Sequence, residues 1–285
     1  MALAPKPLRI LHIVPDGRDR ADMSRHWWRI WPSLAVLLLV LVGCATPPSA
    51  SDPEAVAEYR ANNDPLEPTN RAMYAANEWL DRSVTRPVAV EYRNHFPRPV
   101  RSGIRNVLNN LRSPVILVND MLQGQPRRAG DTLGRFLLNT TFGVAGVFDV
   151  AEVWFGVSRH TEDFGQTLAV WGAGEGPYLF LPLVGPTNPR DLAGSGVDGA
   201  ASIASLLGPG AAATGFRYAR TGMGLVDTRE ALIDPVDEMR RTSLDPYITY
   251  RSAFRQRRQA EIENRIGPAV TSSTGAFLPS PAEKR

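Results

Sequence analysis

A mainly α-helical domain is the fold class that this sequence predicts, and three observations carry the prediction. An acceptor side chain followed by proline recurs at Asp64-Pro65, Ser113-Pro114, Asp234-Pro235 and Asp245-Pro246. Each pair offers an N-cap and then a ring whose missing N–H costs nothing in a first helical turn. Apolar residues at helical spacing follow several of these starts, and strand-like alternation is scarce before residue 164.

The elements follow in order. Cys44, the only cysteine of the 285 residues, ends Leu41-Val42-Gly43-Cys44 behind basic Arg25 and Arg29 and the apolar run Leu34–Val42. That is the pattern of a bacterial lipoprotein leader, with residues 1–43 removed and Cys44 carrying a diacylglyceryl group. The apolar run is far shorter than the ~20 residues that a spanning helix needs. Met23 opens a cleaner leader than the acidic, proline-bearing stretch before it, so Met23 is a candidate start. Ala45 follows the cysteine where an aspartate is common in inner-membrane lipoproteins, which points to the outer membrane. The Pro-, Ser- and Ala-rich residues 44–63 read as a lipidated tether, and residues 267–285 as a disordered tail. One folded domain is expected over residues 64–266.

Within that domain the first helix carries Met73, Tyr74, Asn77 and Leu80. A second starts near Pro99 and runs through Ile104, Val107, Leu108 and Leu111. A third spans Pro114 to about Gln123 and closes on Gly124. A fourth covers about Arg127 to Thr141, with Leu133, Phe136, Leu137 and Thr140 on its helical spacing, and two more follow Asp234 and Asp245. The third helix has almost no polar face in its first turns, so it is either core or lipid-facing. Core is the commoner outcome. Thr141–Phe148 is apolar and glycine-spaced, and Leu168–Val184 is apolar but broken by Gly and Pro. Both read as irregular backbone, packed inside the protein or lining a cavity at membrane depth. The second could equally be a short hairpin around Gly172–Gly176.

The net charge of +3 belongs to the leader. Removing its six basic and three acidic residues leaves 26 of each sign, so no basic face for nucleic acid is supplied. The nucleophile elbow of esterases is absent. His95 and His160 have no partner histidine at metal spacing, and His160-Thr161-Glu162-Asp163 reads as a hydrogen-bonding corner. The residues thus predict neither enzyme nor metal site.

Asp64-Pro65-Leu66-Glu67, Asn70-Arg71, Met73-Tyr74 and Asn77 together resemble the opening motif of the MlaA/VacJ family of outer-membrane lipoproteins. The match continues through Arg86-Pro87-Val88-Ala89, Asn119, Leu122-Gln123-Gly124, Arg135-Phe136, Leu138-Asn139-Thr140, Gly143, Gly146 and Asp149-Val150-Ala151. It extends through Asp163–Leu168, Trp171-Gly172, Gly174, Gly176-Pro177-Tyr178, Leu181-Pro182, Gly185-Pro186 and Arg190-Asp191 to Asp245-Pro246-Tyr247 and Arg251. Pro68-Thr69 and Ala76 depart from it.

The resemblance implies a ring-like helical lipoprotein embedded in the inner leaflet of the outer membrane, with an amphipathic channel. It implies association with trimeric porins, removal of mislocalised phospholipids from the outer leaflet, and their delivery to a periplasmic lipid-binding shuttle. No cofactor or metal is implied. In that frame Ile116, Leu117 and Met121 are expected to face the membrane. Phe142, Gly143, Gly146, Phe148, Asp149, Trp171, Gly174 and Tyr178 are expected at the channel or its gate, although the glycines serve tight turns and close packing equally well. The rival reading is a lipoprotein that scaffolds a porin or envelope complex without moving lipid.

Overall fold

The computed structural model describes residues 48–264 apart from 50, 207 and 209. The leader, Cys44 and the expected tail from residue 267 lie outside the described residues.

Asp52 opens helix α1, Pro53–Asn62, by accepting the Ala55 N–H at 3.0 Å. Part of the expected tether is therefore helical, because Glu54-Ala55-Val56-Ala57-Glu58 is rich in helix formers behind an N1 proline. Helix α2, Glu67–Leu80, passes through a π-helical segment, Asp81–Thr85, into α3, Arg86–His95. Pro87 has no N–H to return to the preceding turn, and the helix widens there rather than ending. Extended Phe96 stops it. Helices α4, Arg98–Asn110, α5, Ser113–Leu122, and α6, Pro126–Thr141, follow where the spacing places them, with Gly124 at φ +70° closing α5.

Of the four expected proline caps, only Asp245 serves as one, accepting from the Ile248 N–H of α13, Pro246–Ile262. Asp64 is buried and holds long-range partners instead. Ser113 lies inside α5, and Asp234 inside α12, Ile233–Thr242. The same device works at Asn188-Pro189, where Asn188 caps α9, Pro189–Ala201. Asp149 and Asp163 cap two short helices, α7, Val150–Phe155, and α8, Phe164–Val170. Short α10, Ile203–Leu206, and long α11, Ala211–Ala231, complete the set.

The hairpin exists, but beyond Gly172–Gly176. Strands β1, Leu179–Leu181, and β2, Gly185–Thr187, pair antiparallel with Phe180 opposite Pro186. The turn falls at Pro182–Val184, where proline and left-handed Leu183 (φ 65°) bend the chain.

Packing runs in a closed circuit, α3 to α11, α4, α6, α5, α8, α13, α12 and back to α3. An ionic and aromatic knot joins the opening and closing segments. Asp64, 3 % exposed, accepts Arg251 at 2.7 Å, Asn70 at 2.7 Å and the Tyr247 hydroxyl. Arg71 bridges Glu67 and Asp245 beside it. Tyr178, Phe180 and Tyr247 form the apolar cluster over this knot, with Tyr74, Tyr250 and Phe254 against them.

Candidate lipid-facing site

Away from that cluster the helices are inside out. In α6 the buried positions are Ala129, Thr132, Arg135 and Asn139, while Leu133 and Leu137 are exposed. In α5 Asn119 and Asp120 are fully buried, and Val118, Met121 (66 %) and Leu122 are exposed. Helix α8 buries Gln166 and Thr167 and exposes Val170 and Trp171. Helix α9 buries Asp191 and exposes Leu192 and Val197, and α11 buries Asp227 and Glu230 beneath exposed Phe216, Met223 and Leu225. Apolar surface left in water forfeits ~25 cal/mol per Å². A lipid surround removes that penalty and leaves hydrogen bonds and packing to hold helices together.

The buried polar groups are paired accordingly. Arg258 of α13 reaches Asp163 (2.6 and 2.7 Å) and Asp191 (2.8 and 2.9 Å), tying α8 and α9 to α13. Burial works to raise the Asp163 carboxyl, but Arg258 and Gln166 outweigh it and hold the group at about 2. Where α8 and α9 cross, a Cβ on Gly194 would stand 2.3 Å from the Gly165 nitrogen, so this approach requires glycine. Asn119 donates to Asp198 at 3.0 Å and accepts from Thr167 at 2.8 Å. On the opposite arc Glu230 receives Arg93, Arg101 and Arg105, and Asp81 receives Arg229 and Arg240.

The loop after α6 carries the most conspicuous backbone. Val144, Ala145 and Gly146 have φ of 53°, 55° and 92° in succession, a left-handed run that costs a β-branched residue ~1–2 kcal/mol. It persists because its ends are fixed. The Gly146 N–H donates to the Asn139 carbonyl at 2.8 Å, Phe148 N–H to Gly143 O at 2.9 Å, and Asn106 to Val147 O at 3.0 Å. A Cβ on Gly143 would meet Phe148 O at 2.3 Å, and one on Gly146 would meet Asn110 at 2.6 Å. Both glycines are therefore required by packing. Asp149 ends the loop, receiving Arg135 at 2.7 and 2.8 Å and Asn139 at 2.9 Å. Burial would raise its carboxyl; the Asn139 amide and the Arg135 guanidinium lower it further.

The structure thus brings Phe142, Gly143, Gly146, Phe148 and Asp149 into one pinned loop, with Phe142 and Phe148 exposed and Phe142 6.3 Å from the Trp154 ring. Trp171 is exposed at the end of α8, donating to Leu122 O at 3.1 Å, and Gly174 is open. Tyr178 differs: it is 2 % exposed within the aromatic cluster. Ile116 and Leu117 are half-buried, so the exposed apolar face of α5 runs instead through Val118, Met121 and Leu122. Sequence reading missed exposed Val153, Trp154 and Phe155 of α7, whose short apolar run was legible. It also missed Arg258, which no local pattern marks.

The ligand atoms of Asp120, His160 and Glu162 lie within 4.8 Å of one another. His160 Nε2 sits 3.0 Å from both Asp120 oxygens, and Thr132 donates to Asp120 at 2.7 Å. Arg128 stands 2.6 Å from Glu162 and 3.8 Å from Asp120, where it supplies the positive charge that a metal ion would bring. Burial raises the Glu162 carboxyl against Gln123 and Arg128. The triad works as a salt-bridged corner between α5, α6 and the 156–163 loop. Among the described residues no helix is long and apolar enough to cross a membrane.

Residues 62–261 match the family model described as MlaA lipoprotein. Over 228 residues the chain is 38 % identical to the intermembrane phospholipid transport system lipoprotein MlaA of Escherichia coli K12, covering 79 % of this chain and 85 % of that protein. It is 34 % identical to the protein of the same name from Haemophilus influenzae over 228 residues, covering 79 % and 87 %. A solved chain from work on the structural basis for maintenance of bacterial outer membrane lipid asymmetry superposes with a TM-score of 0.60 at 36 % identity. That likeness covers 70 % of this chain and 98 % of the other. A closed circuit of inside-out helices and this extent of likeness agree: the chain belongs to the MlaA lipoprotein family.

Proposed function

We propose that this protein removes mislocalised phospholipids from the outer leaflet of the outer membrane and passes them to a periplasmic lipid-binding shuttle, so that the membrane stays asymmetric. The observation that carries the reading is the reversed burial of α5, α6, α8, α9 and α11, apolar outward and hydrogen-bonded inward. Such a surface suits a protein seated in a leaflet. A diacylated Cys44 alone would suffice as an anchor, so the apolar helix faces serve something beyond tethering. The name of the Escherichia coli relative supports phospholipid as cargo. The anchor belongs on the periplasmic side of the outer membrane, with a trimeric porin as the neighbour, and transport breaks no bond. The exposed loop residues Phe142, Val144 and Phe148 are the gate in this reading, with Trp171 and Gly174 assigned to the channel.

Deletion of the gene, followed by measurement of outer-leaflet phospholipid and of detergent–EDTA sensitivity, tests the reading. Outer-leaflet phospholipid should rise and return to normal on complementation. An unchanged leaflet would overturn transport and leave the scaffold, in which partner protein but no lipid co-purifies in mild detergent.

A further inference from the structure

Arg159 lies in the 156–163 loop, half-buried, and makes no hydrogen bond or ion pair with any described residue. Its flanks are fixed. Val157 N–H donates to Ala151 O, the Val157 carbonyl accepts Arg135, Ser158 donates to Glu152, and His160 is held by Asp120 and Thr132. The loop around Arg159 is therefore fixed while its guanidinium has no contacting partner among the described residues.

Each nearby carboxylate already has a cation or donors. Asp149 and Glu152 take Arg135, Asp120 takes His160, and Glu162 takes Arg128. The cations within electrostatic reach, Arg105 and Arg135, are themselves spent on Asp227, Glu230 and Asp149. Burial and those neighbouring guanidinia weigh against the charged form of Arg159, and Asp149 and Glu152 support it from a distance without contact. Partial burial of a cation without a contacting counter-ion carries a desolvation cost, and guanidinium is the side chain best suited to fork onto a phosphate. The adjoining helix α7 exposes Val153, Trp154 and Phe155. A guanidinium without a contacting partner, in a loop tied to an exposed apolar helix through Val157–Ala151 and Ser158–Glu152, suits an anionic head on an acyl tail.

We infer that Arg159 binds the phosphate of a phospholipid head group while the acyl chains lie along Val153, Trp154 and Phe155. The inference rests on the lipid-transport reading and adds the residue that distinguishes a phospholipid from a neutral lipid.

The test uses the full lipidated protein in detergent with two short-chain probes of equal tail length, a phosphatidylglycerol and a diacylglycerol. Wild type should prefer the phospholipid by about tenfold, the scale of one charge-assisted contact. Arg159→Gln should bring the two affinities together by weakening only the phospholipid, and Arg159→Lys should keep most of the preference. Thermal unfolding of Arg159→Gln without lipid should match or exceed that of wild type, since no native ion pair is lost. An unchanged preference in Arg159→Gln overturns the head-group assignment and leaves lipid carriage standing. Equal loss of both probes together with a lowered melting temperature overturns it in favour of a structural role. Millimolar inorganic phosphate that raises the wild-type melting temperature while phosphatidylglycerol does not would make the site one for a free anion. Failure of wild type to bind either probe would count against transport itself.

Discussion

Two regions of this protein bury opposite things. Around the hairpin, α2 and the start of α13 enclose rings: Tyr74 meets Phe180 edge-on at 5.5 Å and Tyr247 at 5.8 Å, and Tyr178 meets Tyr247 at 6.3 Å. Around α5, α6, α8 and α9 the enclosed groups are Asn119, Asp120, Thr132, Arg135, Gln166 and Asp191, with leucine, valine and tryptophan outside. The first region is organised by expulsion of apolar surface from water. The second is organised by mutual satisfaction of buried polar groups, the arrangement that the proposed lipid surroundings would favour. Helical spacing is the same in both. What differs is which face each helix buries, and amphipathic periodicity reports a face without saying which way it points.

Replacing Arg258 should break the comparison most strongly, because it leaves half-buried Asp163 without its cation and buried Asp191 with Arg190 alone. Arg258→Leu should cost about 3–5 kcal/mol of stability, read by thermal unfolding in detergent, and the added changes Asp163→Asn and Asp191→Asn should recover part of the loss. No recovery would mean that packing rather than charge dominates there. In the other region Phe180→Ala should cost about 3 kcal/mol or more through the cavity left among the rings. Its cost should be indifferent to replacement of detergent by lipid.

Acid sharpens the contrast. The folded Asp163 carboxyl titrates at about 2 against an ordinary 3.8, so its contribution is present above pH 3.8 and lost as pH falls towards 2. Unfolding followed by pH should show that loss in wild type and a flatter profile in Asp163→Asn. The smallest effect on stability is expected at the outward face. Leu137→Ser combined with Met121→Ser should change unfolding by no more than about 0.5 kcal/mol per site, yet weaken flotation of a Cys44→Ser form with vesicles. Undiminished flotation would argue that this face does not meet lipid.

Much of the fold was legible. Helices α4, α5 and α6 emerge from spacing and punctuation, and Gly124 ends α5 as a left-handed cap. Helix α11 was not legible, since Gly215, Gly222 and Gly224 dilute its propensity and its buried Asp227 and Glu230 stand where apolar residues are sought. Asp64 looks like a cap in sequence but spends its carboxylate on Arg251, 187 positions away. Long-range pairing of this kind has no local signature. The hairpin turn was misplaced because glycines mark permissive backbone, whereas the turn actually used depends on Pro182 and strained Leu183. Of the site, the apolar loop was visible; its inward-facing Arg135–Asp149 pair and the outward α7 were not assembled until the helices were in place.

The knot between Asp64 and Arg251 has a kinetic consequence. A chain delivered amino end first presents Asp64 long before Arg251, which neutralises it, and contacts of such separation form slowly. Until Tyr247 and Arg251 arrive, the nascent polypeptide carries Asp64 without its cation together with helices whose apolar faces are not yet covered. The circuit thus closes only when the last helix is made, and truncation ahead of residue 247 should yield a species cleared by proteolysis rather than a shorter lipoprotein.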